Sequence, residues 1–159
     1  NLPNRRLAED RMEQMISRNQ RDKTSFALFY IDLDGFKEIN DKYGHEVGDS
    51  LLAETSRRML ASVRTMDTVA RIGGDEFVIL ADGIDGEKDI TRIKRTLQKN
   101  LSGHAFLNGN EIEVRASIGI AVFPLDGASV DELLMAGDKK MYAAKHQNKV
   151  QQVNFSKCS

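Results

Sequence analysis

Four acidic residues of this chain stand where they could do chemistry together: Asp32 and Asp34 in "YIDLDGFKEIN", and Asp75 and Glu76 in "ARIGGDEFVIL". The second pair follows Gly73-Gly74 between two short apolar runs, the pattern of a β-hairpin tip. A Gly-Gly pair lets a ligand approach the main chain closely. Successive strand residues point to opposite faces, so Asp75 and Glu76 need not share one role; one can bind outward while the other is held inward. Asp32 and Asp34 are two apart and share a strand face. If that strand lies beside the hairpin, Asp32 and Asp75 converge, and converging carboxylates repel unless a cation sits between them. A hard divalent ion such as Mg²⁺ takes such oxygens together with those of phosphate, which is how enzymes clamp a phosphoryl centre. Alone, each string also has a plainer reading, a solvated turn or a polar strand end. A calcium loop of the EF-hand type starting at Asp32 is excluded, because Lys37 and Tyr43 stand where it needs Gly and Glu.

The elements that must position these acids can be read from periodicity. Leu7, Met12, Met15 and Ile16 recur at helical spacing. "FALFYIDLD" is an apolar run ending in acids, a buried strand with a polar C-terminal end. Leu51, Leu52, Met59, Leu60 and Val63 make one helix stripe, which Asp49 or Ser50 would cap. "TVARI" and "EFVIL" flank the glycines as a hairpin. Ile90, Ile93, Leu97 and Leu101 predict a helix from Glu87 to Leu101. "NGN" at Asn108 to Asn110 is a turn, and Ile112 to Phe123 reads as a central strand. "SVDE" at Ser129 to Glu132 is a capping box before a last helix through Lys145, and "VQQVNF" adds an edge strand. A hairpin interrupting helix–strand alternation argues for an α+β fold: a mainly antiparallel sheet flanked by helices, with the split βαβ of ferredoxin-like folds as the candidate.

Composition narrows the partners. The 159 residues fit a single domain, 1–159, and the net charge of −1 offers no global field for nucleic acid or an acidic membrane, so any anion site is local. One cysteine, Cys158, cannot form an internal disulfide, which fits a reducing compartment. The longest strongly apolar run, Phe26 to Ile31, is too short to span a bilayer. The chain opens at Asn1 rather than Met and reads as a piece of a longer protein.

The motifs taken together resemble the GGDEF family, the diguanylate cyclases. "GGDEF" is intact at Gly73 to Phe77. "DLDGFKEINDKYGHEVGD", Asp32 to Asp49, is similar to the family's D-x-D-x-F-K-x-x-N-D-x-x-G-H-x-x-G-D stretch without a departure. "SIGIAVFPLDG", "MYAAK" and the opening "NLPNRR" resemble further family markers, so the likeness covers nearly the whole chain.

The resemblance implies a nucleotidyl-cyclase-like sheet and a cytoplasmic domain that condenses two GTP into cyclic di-GMP and pyrophosphate. It implies Mg²⁺, with Mn²⁺ as the alternative, on Asp32, Asp75 and the Leu33 carbonyl. It makes Asp75, Lys37 and Glu76 catalytic, Asp75 as acceptor of the 3′-hydroxyl proton and Lys37 as stabiliser of the transition state. Gly73, Gly74, Lys145 and Lys149 would meet the phosphates, and Asn40 and Asp49 would read guanine. His45 stands at a pocket position and could equally cap local backbone. "RTMD" resembles the family's RxxD product site, with Arg64, Asp67 and Arg95, or else Arg92, contributing. Each domain holds one GTP, so a transient homodimer is implied, within a parent carrying sensor or phosphodiesterase domains that could itself be membrane-anchored. After the last helix the family often reads AKxxGRN where this chain has "AKHQNKV": Asn148 replaces Gly, Lys149 replaces Arg and Val150 replaces Asn. A silent GTP- or cyclic di-GMP-binding module is the alternative; such members usually lose the metal acids or the Gly pair, which this chain keeps.

Overall fold

The computed structural model describes residues 1–157, and Cys158 lies outside them. The chain opens with α1 (Arg5–Asp22), whose first turn is capped by the Asn4 side chain accepting from Leu7 N–H at 3.0 Å. Ala8, Met12, Met15 and Asn19 form its buried stripe. β1 (Phe26–Leu33) follows, buried along its whole length. Then come α2 (Phe36–Tyr43), α3 (His45–Ser62), β2 (Thr68–Arg71), β3 (Glu76–Ala81), α4 (Gly86–Asn100), β4 (Gly103–Leu107), β5 (Asn110–Val114), β6 (Ala116–Phe123) and α5 (Val130–Lys157).

Four strands form an antiparallel sheet in the order β2-β3-β1-β6. With β1 and β3 central and adjacent, and helices crossing from β1 to β2 and from β3 to β6, this is the expected split βαβ arrangement. β1 is apolar from Phe26 to Ile31 because both of its faces are covered. Phe29 and Ile31 sit in a core shared with residues of α3, α4 and the separate β4–β5 pair. Phe26, Leu28 and Tyr30 sit in a second core with Met12 of α1 and Leu133 and Met141 of α5. The last helix lies very close: a Cβ on Gly119 of β6 would overlap backbone atoms of Gly137 and Met141, and one on Gly137 would come within 2.7 Å of Leu28.

Four details depart from the periodicity reading. A separate helix, α2, precedes α3, and α3 starts at His45 rather than behind an Asp49 or Ser50 cap; Gly44, at φ 91°, makes the break, a conformation costly for any residue with a Cβ. Asp49 is thereby left exposed on the helix instead of being used as a cap. The expected strand from Ile112 to Phe123 is divided at Arg115: β6 pairs with β1, with the Arg115 carbonyl accepting from Asp34 N–H at 2.9 Å at the end of that ladder, while β5 pairs with β4 in a different sheet. β4 itself carries no periodic signal. "VQQVNF" continues α5 rather than forming an edge strand, because no Gly or Pro stops the helix and Asn148 stays in register, its Nδ2 donating to Ser117 Oγ at 3.2 Å. The Ser129 box forms in altered shape: Ser129 Oγ accepts from Glu132 N–H, while Glu132 reaches back to Ala128 N–H rather than to Ser129.

Candidate active site

Antiparallel register brings the two acidic motifs together. Asp32 pairs with Glu76 on one side and with Ser117 on the other, and Leu33 N–H donates to the Asp75 carbonyl at 3.2 Å. The end of β1 and the hairpin tip are therefore neighbours. The Asp75 carboxylate lies close enough to Asp32 to raise its pKa.

Asp32 is only 9% exposed. Burial lifts its pKa first; the Lys145 hydrogen bond opposes and the Asp75 carboxylate adds, leaving the group at about 6. Lys145 Nζ donates to Asp32 Oδ2 at 2.9 Å. Burial disfavours the ammonium, but Asp32, Asp34 and Asp75 outweigh it and hold the lysine pKa above its ordinary value. Asp32 Oδ1 is buried without a hydrogen-bond partner.

The two hairpin acids do face apart. Asp75 turns toward Asp32 and Lys145, whereas the charge of Glu76 is felt at the Tyr30 hydroxyl and the Arg5 guanidinium. Burial, then Glu76 and Asp138, push the Tyr30 phenol well above its ordinary value. Glu76 also packs under the turn, its carboxylate 2.6 Å from where a Gly73 Cβ would stand.

Sequence reasoning missed Arg71. Its Nε donates to the carbonyls of Gly73 and Gly74 at 3.1 Å each and its Nη2 to Gly74 at 2.8 Å, so one guanidinium holds the turn that carries Asp75. An arginine two residues before a side-chain-free turn was the available signal, since bare carbonyls there need donors.

Beside the acids lies a cleft of about 540 Å³, lined by Leu33, Lys37, Asp75, Lys145 and Lys149 among others. Lys37 comes from the first turn of α2, entered through Gly35 at φ 71°. Asn40, at the other end of α2, lies against α3: a Cβ on Gly48 would overlap its amide oxygen, and that Oδ1 is buried without a partner. His45 and Asp49 are exposed on the first turns of α3.

The chemistry of this donor set fits a hard cation. Two carboxylates converge, one has a spare buried oxygen, and all of the donors are oxygen. Among the described residues no cluster of three or more His, Cys, Asp or Glu forms a metal cage, so an ion here would need oxygens from its substrate as well.

The RxxD residues form a tight turn apart from this cleft. Asp67 Oδ2 accepts from Arg64 N–H at 2.9 Å, and its Oδ1 is buried and unpartnered. Burial raises the Asp67 pKa against the opposing pull of Arg64 and Arg92. Of the two α4 arginines, Arg92 is the one whose charge reaches Asp67; Arg95 lines the same shallow groove as Arg92. No helix among the described residues is long and apolar enough to cross a membrane.

A family profile described as "Diguanylate cyclase, GGDEF domain" matches residues 1–151. The chain is 45% identical over 148 residues to the bifunctional diguanylate cyclase/cyclic di-GMP phosphodiesterase MucR of Pseudomonas aeruginosa, covering 93% of this chain and 22% of that protein. It thus spans about a fifth of the length of that relative. Its structure resembles the GGDEF domain of YfiN (TpbB) from Pseudomonas aeruginosa with a TM-score of 0.89, at 34% identity and 92% coverage of both chains. It also resembles a sensory box/GGDEF family protein from Caulobacter crescentus with a TM-score of 0.86, at 35% identity, covering 92% of this chain and 94% of that one.

Proposed function

The chain belongs to the GGDEF family of diguanylate cyclase domains, and from that premise we propose that it is a competent cyclase domain rather than a silent binding module. The observation that carries this reading is the convergence of Asp75 on a buried Asp32 beside a cleft lined by Lys37, Lys145 and Lys149. Silent members of the family usually lose the metal acids or the Gly pair, and this chain keeps both.

In the proposed reaction the 3′-hydroxyl oxygen of one GTP attacks the α-phosphorus of the other. Its proton passes to Asp75, and pyrophosphate leaves. A second, reciprocal attack closes the ring of cyclic di-GMP as a second pyrophosphate leaves. Mg²⁺, or Mn²⁺ in its place, would be held by Asp32, Asp75 and the Leu33 carbonyl, and would neutralise charge on the phosphoryl oxygens. Lys37 stabilises the charge that develops on the transferring group, and Lys145 and Lys149 hold the tail phosphates. Gly73 and Gly74 leave room for the nucleotide over the hairpin. Glu76 faces away from the cleft and braces the turn from its far side, so its part in catalysis is to position the turn that carries Asp75.

Guanine is read by Asn40 and Asp49. A carboxylate accepts from N1–H and the 2-amino group, and the buried, unpartnered Asn40 oxygen is suited to accept from the base as well. Adenine would leave these groups unpaired and is rejected. His45, exposed at the start of α3, would stand at the same approach. Arg64, Asp67 and Arg95, with Arg92, form a separate product site that binds cyclic di-GMP and restrains turnover.

Residues 1–159 make up one domain holding one GTP, so catalysis requires two domains face to face as a transient homodimer. Flanking sensor or phosphodiesterase domains in the parent would control that encounter. The GTP substrate makes the cytoplasm its place of work.

The test fuses a short parallel coiled coil before Asn1, supplies GTP and Mg²⁺, and separates the products by chromatography. Cyclic di-GMP from the parent and none from Asp75→Asn is the expected result. GTP binding without turnover in the forced dimer would establish the silent module instead.

A further inference from the structure

The cation nearest the acids is Lys145. Its ammonium donates to Asp32 Oδ2 at 2.9 Å, with the two side chains 22% and 12% exposed. Asp34 and Asp75 also favour its charge, so it neutralises the acidic cluster as a whole. Lys145 occupies Oδ2 while Oδ1 has no partner, so a divalent ion held by Oδ1 and Asp75 would sit beside this ammonium on one small carboxylate. Like charges at contact distance in a poorly hydrated site repel strongly, so the two do not share it.

We infer that Lys145 is the resident counter-ion of the Asp32/Asp75 pair and that it trades places with the divalent ion, moving onto the nucleotide's phosphates as the ion takes Asp32. The inference rests on the metal-site reading above. Lysine is suited to such an exchange, because its charge is compact and its four-carbon stem lets the head move while the backbone stays fixed. The backbone of α5 is fixed, because Gly119 and Gly137 leave no space between the helix and strands β6 and β1. The phosphate-facing side of the cleft, where Lys37 and Lys149 stand, is within the same cavity. One side chain then suppresses metal binding in the empty domain and rewards it once a triphosphate is present. Metal and nucleotide bind cooperatively as a result, a coupling that is reciprocal by linkage.

The test measures Mn²⁺ affinity of the nucleotide-free domain by titration with paramagnetic detection, for the parent, Lys145→Met, Lys149→Met and Asp32→Asn. Lys145→Met should bind Mn²⁺ roughly tenfold more tightly, the size expected for removing a cation at contact distance. Lys149→Met, a loss of the same charge without the Asp32 hydrogen bond, should change it by less than about twofold, as a solvent-screened charge does. With Mn²⁺ saturating, a non-hydrolysable GTP analogue should bind Lys145→Met roughly tenfold more weakly, the loss of one phosphate contact. The opposite signs matter, because damage to the fold would weaken both affinities. Lys145→Gln, which keeps a donor without the charge, reads the same effect should Met not be tolerated.

Unchanged or weaker Mn²⁺ binding by the Lys145 variants overturns the inference. So does equal tightening by Lys149→Met, which would reduce the effect to overall charge. If Asp32→Asn leaves the parent's Mn²⁺ binding intact, the metal-site assignment itself fails, and it fails separately from cyclase activity in the forced dimer.

Discussion

Asn40 and Gly48 are in contact across the α2–α3 corner, and the contact admits no side chain at position 48: a Cβ there would overlap the Asn40 amide oxygen. The closeness holds the amide in one place, with its Oδ1 buried and unpartnered. A helix-interior Gly is itself unfavourable by about 1 kcal/mol relative to Ala, so its presence in α3 answers to Asn40 rather than to stability.

Gly48→Ala should therefore separate stability from affinity. The added methyl favours the helix but expels the Asn40 amide. Affinity for GTP should fall by about tenfold, the loss of one buried hydrogen bond of about 1.4 kcal/mol, while the melting temperature changes by only a few degrees. Calorimetry with a GTP analogue, beside thermal unfolding, makes the comparison. A large drop in melting temperature with unchanged affinity would put Gly48 in packing alone.

Arg71 holds the turn carbonyls of Gly73 and Gly74 with three hydrogen bonds, and its own N–H donates to the Pro3 carbonyl at 3.0 Å. Removing it leaves Asp75 in place chemically but frees the loop that aims it. Arg71→Ala should lower turnover of the coiled-coil fusion by roughly tenfold to a hundredfold, the scale of a misplaced catalytic group. Folding should survive, because the residue is exposed. Lysine at 71 should restore little, having no fork to span two carbonyls.

Much of this was legible in the chain itself. β1 was visible because it is buried on both faces, and the hairpin because glycines separate two β-rich runs. The meeting of Asp32 with Asp75 followed from placing those strands side by side. What stayed hidden was set at long range. The division at Arg115 separates β6, which pairs with β1, from β5, which pairs with β4, and nothing in "EIEVRASIGI" announces that change of partner. The role of Arg71 runs through main-chain carbonyls, which have no sequence. The helix beyond Lys145 has β-favouring valines, yet Asn148 and its Ser117 partner keep it helical, so tertiary contact overrode propensity there.

Acid stability should carry the signature of Glu54. Hydrogen bonds from Arg57 first and Arg58 second hold its carboxyl down to about 2. A carboxylate depressed in the folded state stabilises the fold above its ordinary value near 4.3, and that contribution is lost as the pH falls toward 2. Glu54→Gln should cost about 1 kcal/mol near neutrality and flatten the acid limb of a denaturation series between about pH 5 and pH 2. An unchanged acid limb would mean that solvent screens the cluster fully. Arg58 also bonds the carbonyls of Asn100, Ser102 and His104, at 3.2, 3.2 and 3.0 Å, so Arg58→Ala should be the more damaging change.

Asn148 tests what the helical tail does for the cleft. Its side chain donates to Ser117 Oγ, and Ser117 Oγ donates to Asp34 Oδ1 at 2.8 Å, linking the tail of α5 to the end of β1. Lys149 follows directly and lines the cleft from that helix. Asn148→Gly removes the bond and weakens the helix by a further few tenths of a kcal/mol, so Lys149 loses its fixed base. The Michaelis constant for GTP in the coiled-coil fusion should rise several-fold while kcat stays nearly constant, the pattern of a lost contact that holds ground state and transition state alike. Helical signal in circular dichroism should fall in the same variant. A fall in kcat with an unchanged Michaelis constant would show instead that the Asn148–Ser117–Asp34 chain acts on the reacting centre through Asp34.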